Sequence, residues 1–374
     1  MCDQANFSAQ DHRFMARALQ LARKGLWTAR PNPMVGCVIV QDGQIVGEGF
    51  HLRRGGPHAE VGALAQAGDR ARGSTVYVTL EPCAHYGLTP PCAMALIQAD
   101  VKKVVAATRD PFHHVNGSGF LILQEKGIHV SSGLMCEQAR ALNCGYFSRL
   151  ERKRPWVRVK IASSLDGRTA LANGMSKWIT SSAAREDGWR WRARAGAILT
   201  GSGTVMHDDP SLTVRLPGDN VVPPLRVVLD SSLKTLSQTH VRQGEGSTLY
   251  MHAPEVSPPS SMDGKAEFCS VARAHDMQGL DVHEILAILA EKSINELHVE
   301  AGPRVTSAFL LSGSVDEIIM YLAPSFLGGD ARSICTDFGL HTLDDQLRWN
   351  IIDSRQCGGD MRLVLRPVCS SNTI

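Results

Sequence analysis

Along the first 150 residues, short apolar runs alternate with stretches whose apolar residues recur at helical spacing. The runs at 35–40 and 44–50 flank Asp42-Gly43, a dipeptide typical of the tight turn between two strands. The pattern predicts further strands at 74–80 and 101–108, and helices at 11–25, 58–67, 92–99, 117–126 and 133–150. Strands and helices that alternate in this way predict a layered α/β domain.

A second α/β series begins at Trp156, after the charged stretch 150–155, which we interpret as a linker. The sequence therefore predicts two domains, residues 1–150 and 151–374, in agreement with a length of 374 residues. Residues 253–265 are rich in Pro and Ser and are expected to form a loop. The pattern predicts strands at 157–162, 197–201, 225–230, 248–251, 297–299 and 317–322, and helices at 181–195, 282–292 and 304–311.

The net charge of +2, from 39 basic and 37 acidic residues, gives no reason to expect a nucleic-acid or membrane partner. No apolar run approaches the length of a membrane span, and residues 1–9 lack the pattern of a signal peptide. Ten cysteines in a chain without an export signal indicate a reducing cytoplasm. There, clustered Cys and His residues bind metal more often than they form disulfides.

The strongest chemical signal is His58-Ala59-Glu60, followed by Pro82-Cys83 and then by Cys92. One imidazole and two thiols supply three zinc ligands and leave a fourth position for water. This is the order found in zinc nucleobase deaminases, in which the glutamate moves protons without binding the metal. Eight residues separate the two cysteines here, whereas two are usual.

Pro57 and Pro91 each precede a ligand and suit the first position of a helix, so both helix N-termini are expected to point at the metal. His58 and Glu60 lie about 200° apart around a helix, so that helix must approach the metal end-on. Two other interpretations remain open. The cysteines could be buried core thiols, or they could form a structural site with His85 as the fourth ligand.

The second half carries weaker signals at 200–204 (TGSGT) and 300–303 (EAGP), each of which follows a predicted strand and precedes a helical turn. Glycines at such turns let backbone N–H groups approach a phosphate. Two of them at strand ends suggest a nucleotide bound across a sheet edge. Each segment taken alone is equally well explained as an ordinary tight turn.

Four segments of the first half, 31–36 (PNPMVG), 49–51 (GFH), 56–60 (GPHAE) and 81–92 (EPCAHYGLTPPC), resemble the bifunctional deaminase/reductase family of riboflavin biosynthesis. In that family the second cysteine follows at this longer spacing. The resemblance implies a cytidine-deaminase-like three-layer α/β/α fold and deamination of 2,5-diamino-6-(5-phosphoribosylamino)pyrimidin-4(3H)-one. It also implies one zinc ion held by His58, Cys83 and Cys92, proton transfer by Glu60, and substrate contacts from Asn32 and His51.

One loop departs from the family pattern, which usually has Asp-Pro-Asn-Pro where this chain has Asp110-Pro111-Phe112 and two histidines. Any contacts that this loop makes with the substrate must therefore differ here. We interpret His113-His114 as an exposed pair rather than a second metal site.

In the second half, segments 159–168 (VKIASSLDGR), 176–180 (SKWIT), 208–215 (DDPSLTVR) and 299–303 (VEAGP) resemble the reductase of the same family. The resemblance implies a dihydrofolate-reductase-like α/β fold that uses NADPH to reduce the ribosyl side chain to ribityl. The matching cofactor positions are Ala162, Trp178, Thr204, Asp208, Ser231, Gly302, Pro303 and Arg304. The matching substrate positions are Ser176, Arg192, Leu212, Arg215 and Glu300.

Arg192 and Arg215 are expected to clamp the substrate phosphate through paired hydrogen bonds. Lys160 and Asp208 are candidates for polarising the reacting sugar carbon. The spacing alone does not distinguish NADPH from NADH. The resemblance also implies a homo-oligomer, a dimer or tetramer, formed through the reductase domain.

Two rival functions are disfavoured. A nucleic-acid or free-nucleoside deaminase would be expected to show a basic surface interleaved with aromatic residues, and the near-zero net charge argues against one. A zinc-stabilised binding module would normally close all four metal positions with protein ligands, and only three are evident.

Overall fold

The structure is a computed structural model that describes residues 6–88, 90–216, 220–262, 265–275 and 277–368. The chain forms two compact units, which divide between Lys153 and Arg154. The linker is shorter than the predicted stretch 150–155, because the helix Cys144–Arg152 covers its first three residues.

The first unit contains a five-stranded sheet and six α-helices among the described residues. Its strands are β1 Gly36–Gln41, β2 Gln44–Phe50, β3 Thr75–Val78, β4 Lys103–Ala106 and β5 His129–Ser132. Its helices are α1 Ala9–Ala22, α2 Ala59–Ala67, α3 Cys92–Gln98, α4 Ser118–Glu125, α5 Cys136–Leu142 and α6 Cys144–Arg152.

The strand order is β2-β1-β3-β4-β5, with β1 antiparallel to both neighbours and β3, β4 and β5 parallel. The predicted hairpin at Asp42-Gly43 is confirmed, and both residues have positive φ, as a two-residue turn between twisted strands requires. Apolar side chains cover both sheet faces. Phe14, Ala18 and Leu21 of α1 pack on one face, and alanines of α2 with residues of α3 and α4 pack on the other. The unit is therefore a three-layer α/β/α domain, as predicted.

The prediction of one helix over 133–150 is wrong, because the chain breaks at Asn143 into α5 and α6. The Asn143 side chain binds the backbone of Met34 twice: Oδ1 accepts from its N–H at 2.8 Å, and Nδ2 donates to its carbonyl at 2.9 Å. These bonds hold the segment before β1 in place. The strand β5 was not predicted, because its four residues are only partly buried or exposed.

Among the described residues, the second unit contains a nine-stranded sheet and a separate pair of short strands. The strands of the large sheet are β6 Trp156–Ser164, β8 Ala197–Gly201, β9 Leu225–Leu229, β10 Thr248–His252, β11 Ala266–Ser270, β12 Glu296–Val299, β13 Glu317–Ala323, β15 Trp349–Cys357 and β16 Asp360–Pro367, and the pair is β7 Arg168–Ala170 and β14 Arg332–Ser333. The order in the large sheet is β11-β10-β9-β8-β12-β6-β13-β16-β15. The helices of this unit are α7 Ser182–Arg194, α8 Ser202–Asp208, α9 Val282–Glu291 and α10 Pro303–Leu311.

The strands from β11 to β13 are parallel, and β16 and β15 continue the sheet antiparallel. One face packs on α9 and α10 through Val157 and Val159 of β6 and their apolar neighbours. The α/β prediction is confirmed for this unit. The C-terminal strands β15 and β16 were not predicted, since most side chains of β15 are exposed and two of the buried residues of β16, Asp360 and Arg362, are charged.

The opposite face of the central strands is polar. Side chains alternate along a strand, so Arg158 and Lys160 of β6 share this face with Glu296 and His298 of β12 and Glu317 of β13. The helix α7 lies against it and supplies basic side chains that pair with the buried carboxylates. This polar layer positions the second candidate site.

Candidate active sites

The first site is a compact group of one histidine and two cysteines. His58 Nδ1 lies 3.2 Å from Cys92 Sγ and 3.5 Å from Cys83 Sγ. Tetrahedral zinc, with bonds of about 2.3 Å to sulfur and about 2.0 Å to nitrogen, separates its nitrogen and sulfur ligands by about 3.5 Å. The three residues therefore fit zinc. Of all residues described, these three form the group that could hold a metal ion, and His85 is not part of it.

Two helix starts place the ligands. His58 caps α2 with extended backbone angles, and Cys92 is the first residue of α3, whose backbone N–H donates to Cys83 Sγ at 3.2 Å. The predicted end-on approach of α2 is confirmed, since His58 and Glu60 leave its first turn. The predicted positions of the prolines are wrong: Pro57 precedes the cap, and Pro91 is itself the cap of α3.

Glu60 is 3% exposed beside the ligands. Burial, and then the charge of Cys83, raise the pKa of Glu60 to about 7. Hydrogen bonds from Cys92 and His58 lower the pKa of the Cys83 thiol below its ordinary value, which favours the thiolate. A thiolate is the form that binds metal, and a carboxyl group with a raised pKa is suited to proton transfer.

His51 links the start of the domain to the metal site. Its Nδ1 donates to the Pro57 carbonyl at 3.1 Å, and its Nε2 lies 3.0 Å from Asn32 Nδ2. Its ring also meets the His58 ring edge-on at 5.3 Å. The structure thus brings the two predicted substrate residues to the metal ligands.

Glu81 was missed by the sequence analysis, yet it anchors the metal loop. Its carboxylate accepts backbone N–H groups from Asp110, Gly117 and Gly119 at 2.9–3.1 Å. It therefore occupies the anion position at the N-terminus of α4 and ties that helix to the Pro82-Cys83 segment. The sequence signal that could have revealed this role is the pair Gly117 and Gly119, because glycines leave their backbone N–H groups open to a carboxylate.

The divergent loop packs against the segment between the cysteines. The Phe112 ring lies 5.7 Å from the His85 ring, 4.8 Å from that of His113 and 5.2 Å from that of His114. His113 and His114 are exposed, as interpreted from the sequence. Thr89, in the same intercysteine segment, lies outside the described residues.

The second site centres on Glu300, which follows β12. Arg192 of α7 donates to both of its oxygens, at 2.5 and 2.8 Å, and His298 Nε2 lies 3.1 Å from Oε1. Burial lowers the pKa of Lys160, whose ammonium is attracted by Glu300 and repelled by Arg192. Burial opposes ionisation of Glu300, but Arg192 outweighs it and holds the pKa of Glu300 well below its usual range. Lys160, Arg192 and Glu300 therefore form one charged group.

Arg192 and Arg215, the predicted phosphate clamp, have different surroundings in the structure. Arg192 is already engaged with Glu300 and also donates to the Thr213 carbonyl at 3.0 Å. Arg215 is exposed and donates to Ser211 Oγ at 3.2 Å. Of the two arginines, Arg215 presents its guanidinium to solvent, whereas the Arg192 side chain is only 17% exposed.

Most of the predicted cofactor residues lie at or just after the carboxyl ends of adjacent parallel strands, where nucleotides bind in open α/β sheets. Ala162 belongs to β6, Thr204 and Asp208 to α8 after β8, and Ser231 follows β9. Gly302 caps α10, which begins with Pro303 and Arg304. A Cβ placed on Gly302 would lie 3.8 Å from Thr204 Oγ1, so the two helix starts are neighbours.

Three more predicted residues lie in loops. Ser176 and Trp178 belong to the segment between β7 and α7, and the Trp178 side chain is 68% exposed. Leu212 is buried, in the segment after α8. Ser176 and Trp178 thus lie in the loop before α7, whereas the other predicted cofactor residues lie at or after strands of the nine-stranded sheet.

Two family descriptions match the chain. Residues 8–108 match the cytidine and deoxycytidylate deaminase zinc-binding region, and residues 155–363 match the RibD C-terminal domain. In the part of the chain that is described, no helix is both long and apolar enough to cross a membrane.

Relatives cover nearly the whole chain. The riboflavin biosynthesis protein RibD of Escherichia coli is 45% identical over 95% of this chain and 99% of its own length. That of Haemophilus influenzae is 44% identical, over 96% and 98%. The solved structure of Acinetobacter baumannii RibD is 43% identical with a TM-score of 0.88, and covers 96% of this chain and 99% of its own.

A Thermotoga maritima structure is 33% identical with a TM-score of 0.84, again over 96% and 99% of the two chains. It is described as a diaminohydroxyphosphoribosylaminopyrimidine deaminase/5-amino-6-(5-phosphoribosylamino)uracil reductase. The predicted fold class, enzyme class and cofactors, zinc and NADPH, are confirmed. The chain therefore belongs to the RibD family of riboflavin biosynthesis and is a bifunctional, zinc-dependent pyrimidine deaminase and NADPH-dependent reductase.

Proposed function

We propose that residues 1–150 deaminate 2,5-diamino-6-(5-phosphoribosylamino)pyrimidin-4(3H)-one, and that residues 151–374 then reduce the ribosyl side chain of the product. The observation that carries the first assignment is the His58, Cys83 and Cys92 group with buried Glu60 beside it. The charged group around Lys160 and the loops at the strand ends support the second.

In the deaminase, His58, Cys83 and Cys92 hold zinc, which when bound supplies a water of lowered pKa as the nucleophile. The Glu60 carboxylate accepts a proton from the attacking water and delivers it to the pyrimidine ring nitrogen. It then carries a second proton, from the hydroxyl group that the attack forms on the ring carbon, to the leaving amine, which departs as ammonia. Its burial excludes competing water from this transfer. Asn32, which His51 holds in place, contacts the substrate.

Glu60→Gln tests this assignment, because the amide keeps the shape of the side chain but cannot carry the proton. We expect zinc content and NADPH oxidation with the deaminated substrate to be unchanged, and ammonia release to fall by about 10²–10⁴-fold. Glu125→Gln, on the exposed end of α4, is the control and should release ammonia normally. Ammonia release by Glu60→Gln at the wild-type rate would rule out the proton-transfer role.

In the reductase, NADPH when bound supplies hydride to the sugar carbon attached to nitrogen, and a proton must reach the ring oxygen. We assign the proton to Lys160 rather than Asp208, because Lys160 shares a buried face with Glu300 and Arg192. Arg192 holds Glu300 in position for the substrate. Arg215, with its guanidinium exposed, contacts the phosphate.

Lys160→Met tests the proton donor, since it keeps the length of the side chain and removes the ammonium. We expect the kcat of NADPH oxidation to fall at least about 10²-fold, while NADPH affinity and ammonia release are retained. Asp208→Asn is the comparison variant. If Asp208→Asn abolished turnover and Lys160→Met did not, the two roles would be exchanged.

We also propose a homo-oligomer formed through the reductase domain. The outermost strand β15 exposes Ile351 by 60% and Ile352 by 48%, and its neighbour β16 exposes Met361 by 42%. An edge strand with exposed apolar side chains favours pairing with another chain. Ile351→Lys should therefore lower the mass measured by analytical ultracentrifugation, and an unchanged mass would reject this surface.

A cytoplasmic location remains our proposal. The seven free cysteines among the described residues, which include Cys83 and Cys92, suit a reducing compartment.

A further inference from the structure

Trp178 is a large aromatic side chain in an unusually open position. It lies between β7 and α7, and 68% of its surface is exposed. The guanidinium of Arg185 lies over its ring, 4.3 Å from the ring centroid. Because one ring face is covered by Arg185, the exposed surface lies on the other face and the edges of the indole.

Arg185 is itself firmly held. It belongs to the first turn of α7, where its backbone N–H donates to the Ser181 carbonyl, and its Nη1 donates to the Thr180 carbonyl at 2.8 Å. Ser181 caps the helix and is fixed by Asp360, whose carboxylate accepts the Ser181 N–H at 2.7 Å. These hydrogen bonds therefore hold the guanidinium of Arg185 in place against one face of the Trp178 indole.

A flat ring that meets the open face of this indole would form the third layer of a stack of guanidinium, indole and ligand ring. Each stacked layer of this kind contributes to affinity without hydrogen bonds. The positive charge of Arg185 also affects the binding of a charged ligand ring on the far side of the indole. The nicotinamide ring is neutral in NADPH and carries a positive charge in NADP⁺, so a cation behind the indole repels only the oxidised ring.

We infer that Arg185 is a positioning residue that holds Trp178 as a stacking platform for the nicotinamide ring and favours the reduced over the oxidised cofactor. This inference rests on the proposed function, in which Trp178 lies at the cofactor site. It adds a role for Arg185, which no sequence motif singled out. It also gives the site a way to release NADP⁺ after hydride transfer.

The size of the charge effect follows from the geometry. The ligand ring would lie one stacking distance beyond the indole, about 8 Å from the guanidinium. At that distance the repulsion of two unit charges changes an equilibrium by about twofold in water and by about thirtyfold at an effective dielectric constant of 20. Loss of the stacking platform itself should weaken binding by about 5- to 150-fold.

The test measures the Kd of NADPH and of NADP⁺ by calorimetry on the full-length chain carrying R185Q, R185K or W178L. Ammonia release from the deaminase half serves as the control for folded protein. We expect W178L to raise the Kd of both NADPH and NADP⁺. R185Q should lower the ratio of the NADP⁺ Kd to the NADPH Kd by about 2- to 30-fold, whereas R185K, which keeps the charge, should preserve that ratio.

The outcomes separate the two proposals. Wild-type NADPH affinity in W178L would remove Trp178 from the cofactor site and with it that part of the proposed function. Weakened NADPH binding in W178L with an unchanged ratio in R185Q would overturn the role of Arg185 alone. Titration with 2′,5′-ADP distinguishes the two rings of the cofactor. This ligand contains adenine but no nicotinamide. If W178L weakened the binding of 2′,5′-ADP, the ring stacked on Trp178 would be adenine, and the inference would fail.

Discussion

Glu296 offers the sharpest test of how the polar face of the reductase sheet is stabilised. Its side chain is 8% exposed, forms an ion pair with Arg158, and accepts from Arg194 Nε of α7 at 2.8 Å. Arg158 also donates to Glu317 at 2.5 Å. Replacing Glu296 by Gln removes one buried negative charge and leaves its two guanidinium partners short of a carboxylate.

The magnitude follows from the pKa of Glu296. Burial alone would raise that pKa, but Arg158 and Arg194 outweigh burial and lower it from 4.5 to about 2. At about 1.4 kcal/mol per pKa unit, ionised Glu296 contributes about 3 kcal/mol to the free energy of unfolding. Removing one partner of a buried ion pair costs about 3–5 kcal/mol, so the two values agree. For a unit of this size, a loss of about 3 kcal/mol corresponds to a Tm lower by about 6–12 °C.

The pH dependence has a definite sign. The folded pKa lies below the unfolded one, so the contribution is complete above about pH 4.5 and disappears as the pH falls toward 2. The difference in Tm between wild type and Glu296→Gln should therefore be constant near pH 7 and shrink below pH 4.5. Tryptophan fluorescence is a suitable probe, because five of the six tryptophans lie in the second unit.

A matched exposed pair provides the control. Glu267 accepts from Lys292 at 2.9 Å, and both side chains are more than a third exposed. Glu267→Gln should change stability by less than about 1 kcal/mol. A Tm for Glu296→Gln within 2 °C of wild type, or a difference that persists unchanged at pH 3, would show that the cluster does not stabilise the fold in this way.

The remaining predictions concern the deaminase. Cys83→Ser should lose zinc, measured by elemental analysis, and lower the Tm of the first unit, measured by calorimetry. Chelation of zinc from the wild-type protein should have the same effect on the Tm. Zinc retained by Cys83→Ser would contradict the role of Cys83 as a ligand. Gly49→Ala should weaken zinc binding, because its Cβ would lie 2.1 Å from the Ala59 carbonyl; Gly62→Ala, with 3.6 Å of space, is the control and should bind normally. Glu81→Gln should destabilise the metal loop by about 1–3 kcal/mol, measured as earlier thermal loss of ammonia release, because an NH2 group replaces one of the two oxygens that accept buried backbone N–H groups.

The parts of the molecule that could be predicted are those that neighbouring residues determine. The turn at Asp42-Gly43 depends on two residues that tolerate positive φ, and it was predicted at the right place. The group of His58, Cys83 and Cys92, which could hold a metal ion, was identifiable because zinc chemistry restricts residue type and order. The fold class followed from the alternation of apolar runs, which reflects burial of each sheet face.

The features that were missed depend on partners far along the chain. The break at Asn143 requires Met34, which is 109 residues earlier, and nothing in the local helical pattern indicates it. Glu81 resembles any surface glutamate until Gly117 and Gly119 supply its donors. The pairing of Arg192 with Glu300 likewise joins α7 to a strand end 108 residues later.

The ionic attachment of α7 to its sheet has a consequence for how this family can diverge. An apolar contact tolerates one substitution at a time, since Leu, Ile and Met are of similar volume. A buried carboxylate and its guanidinium do not, because either change alone leaves a charge without its partner. Homologous sequences should therefore exchange these positions two at a time, and covariation should be strongest for the pairs outside the substrate site, Arg194 with Glu296 and Arg362 with Asp187.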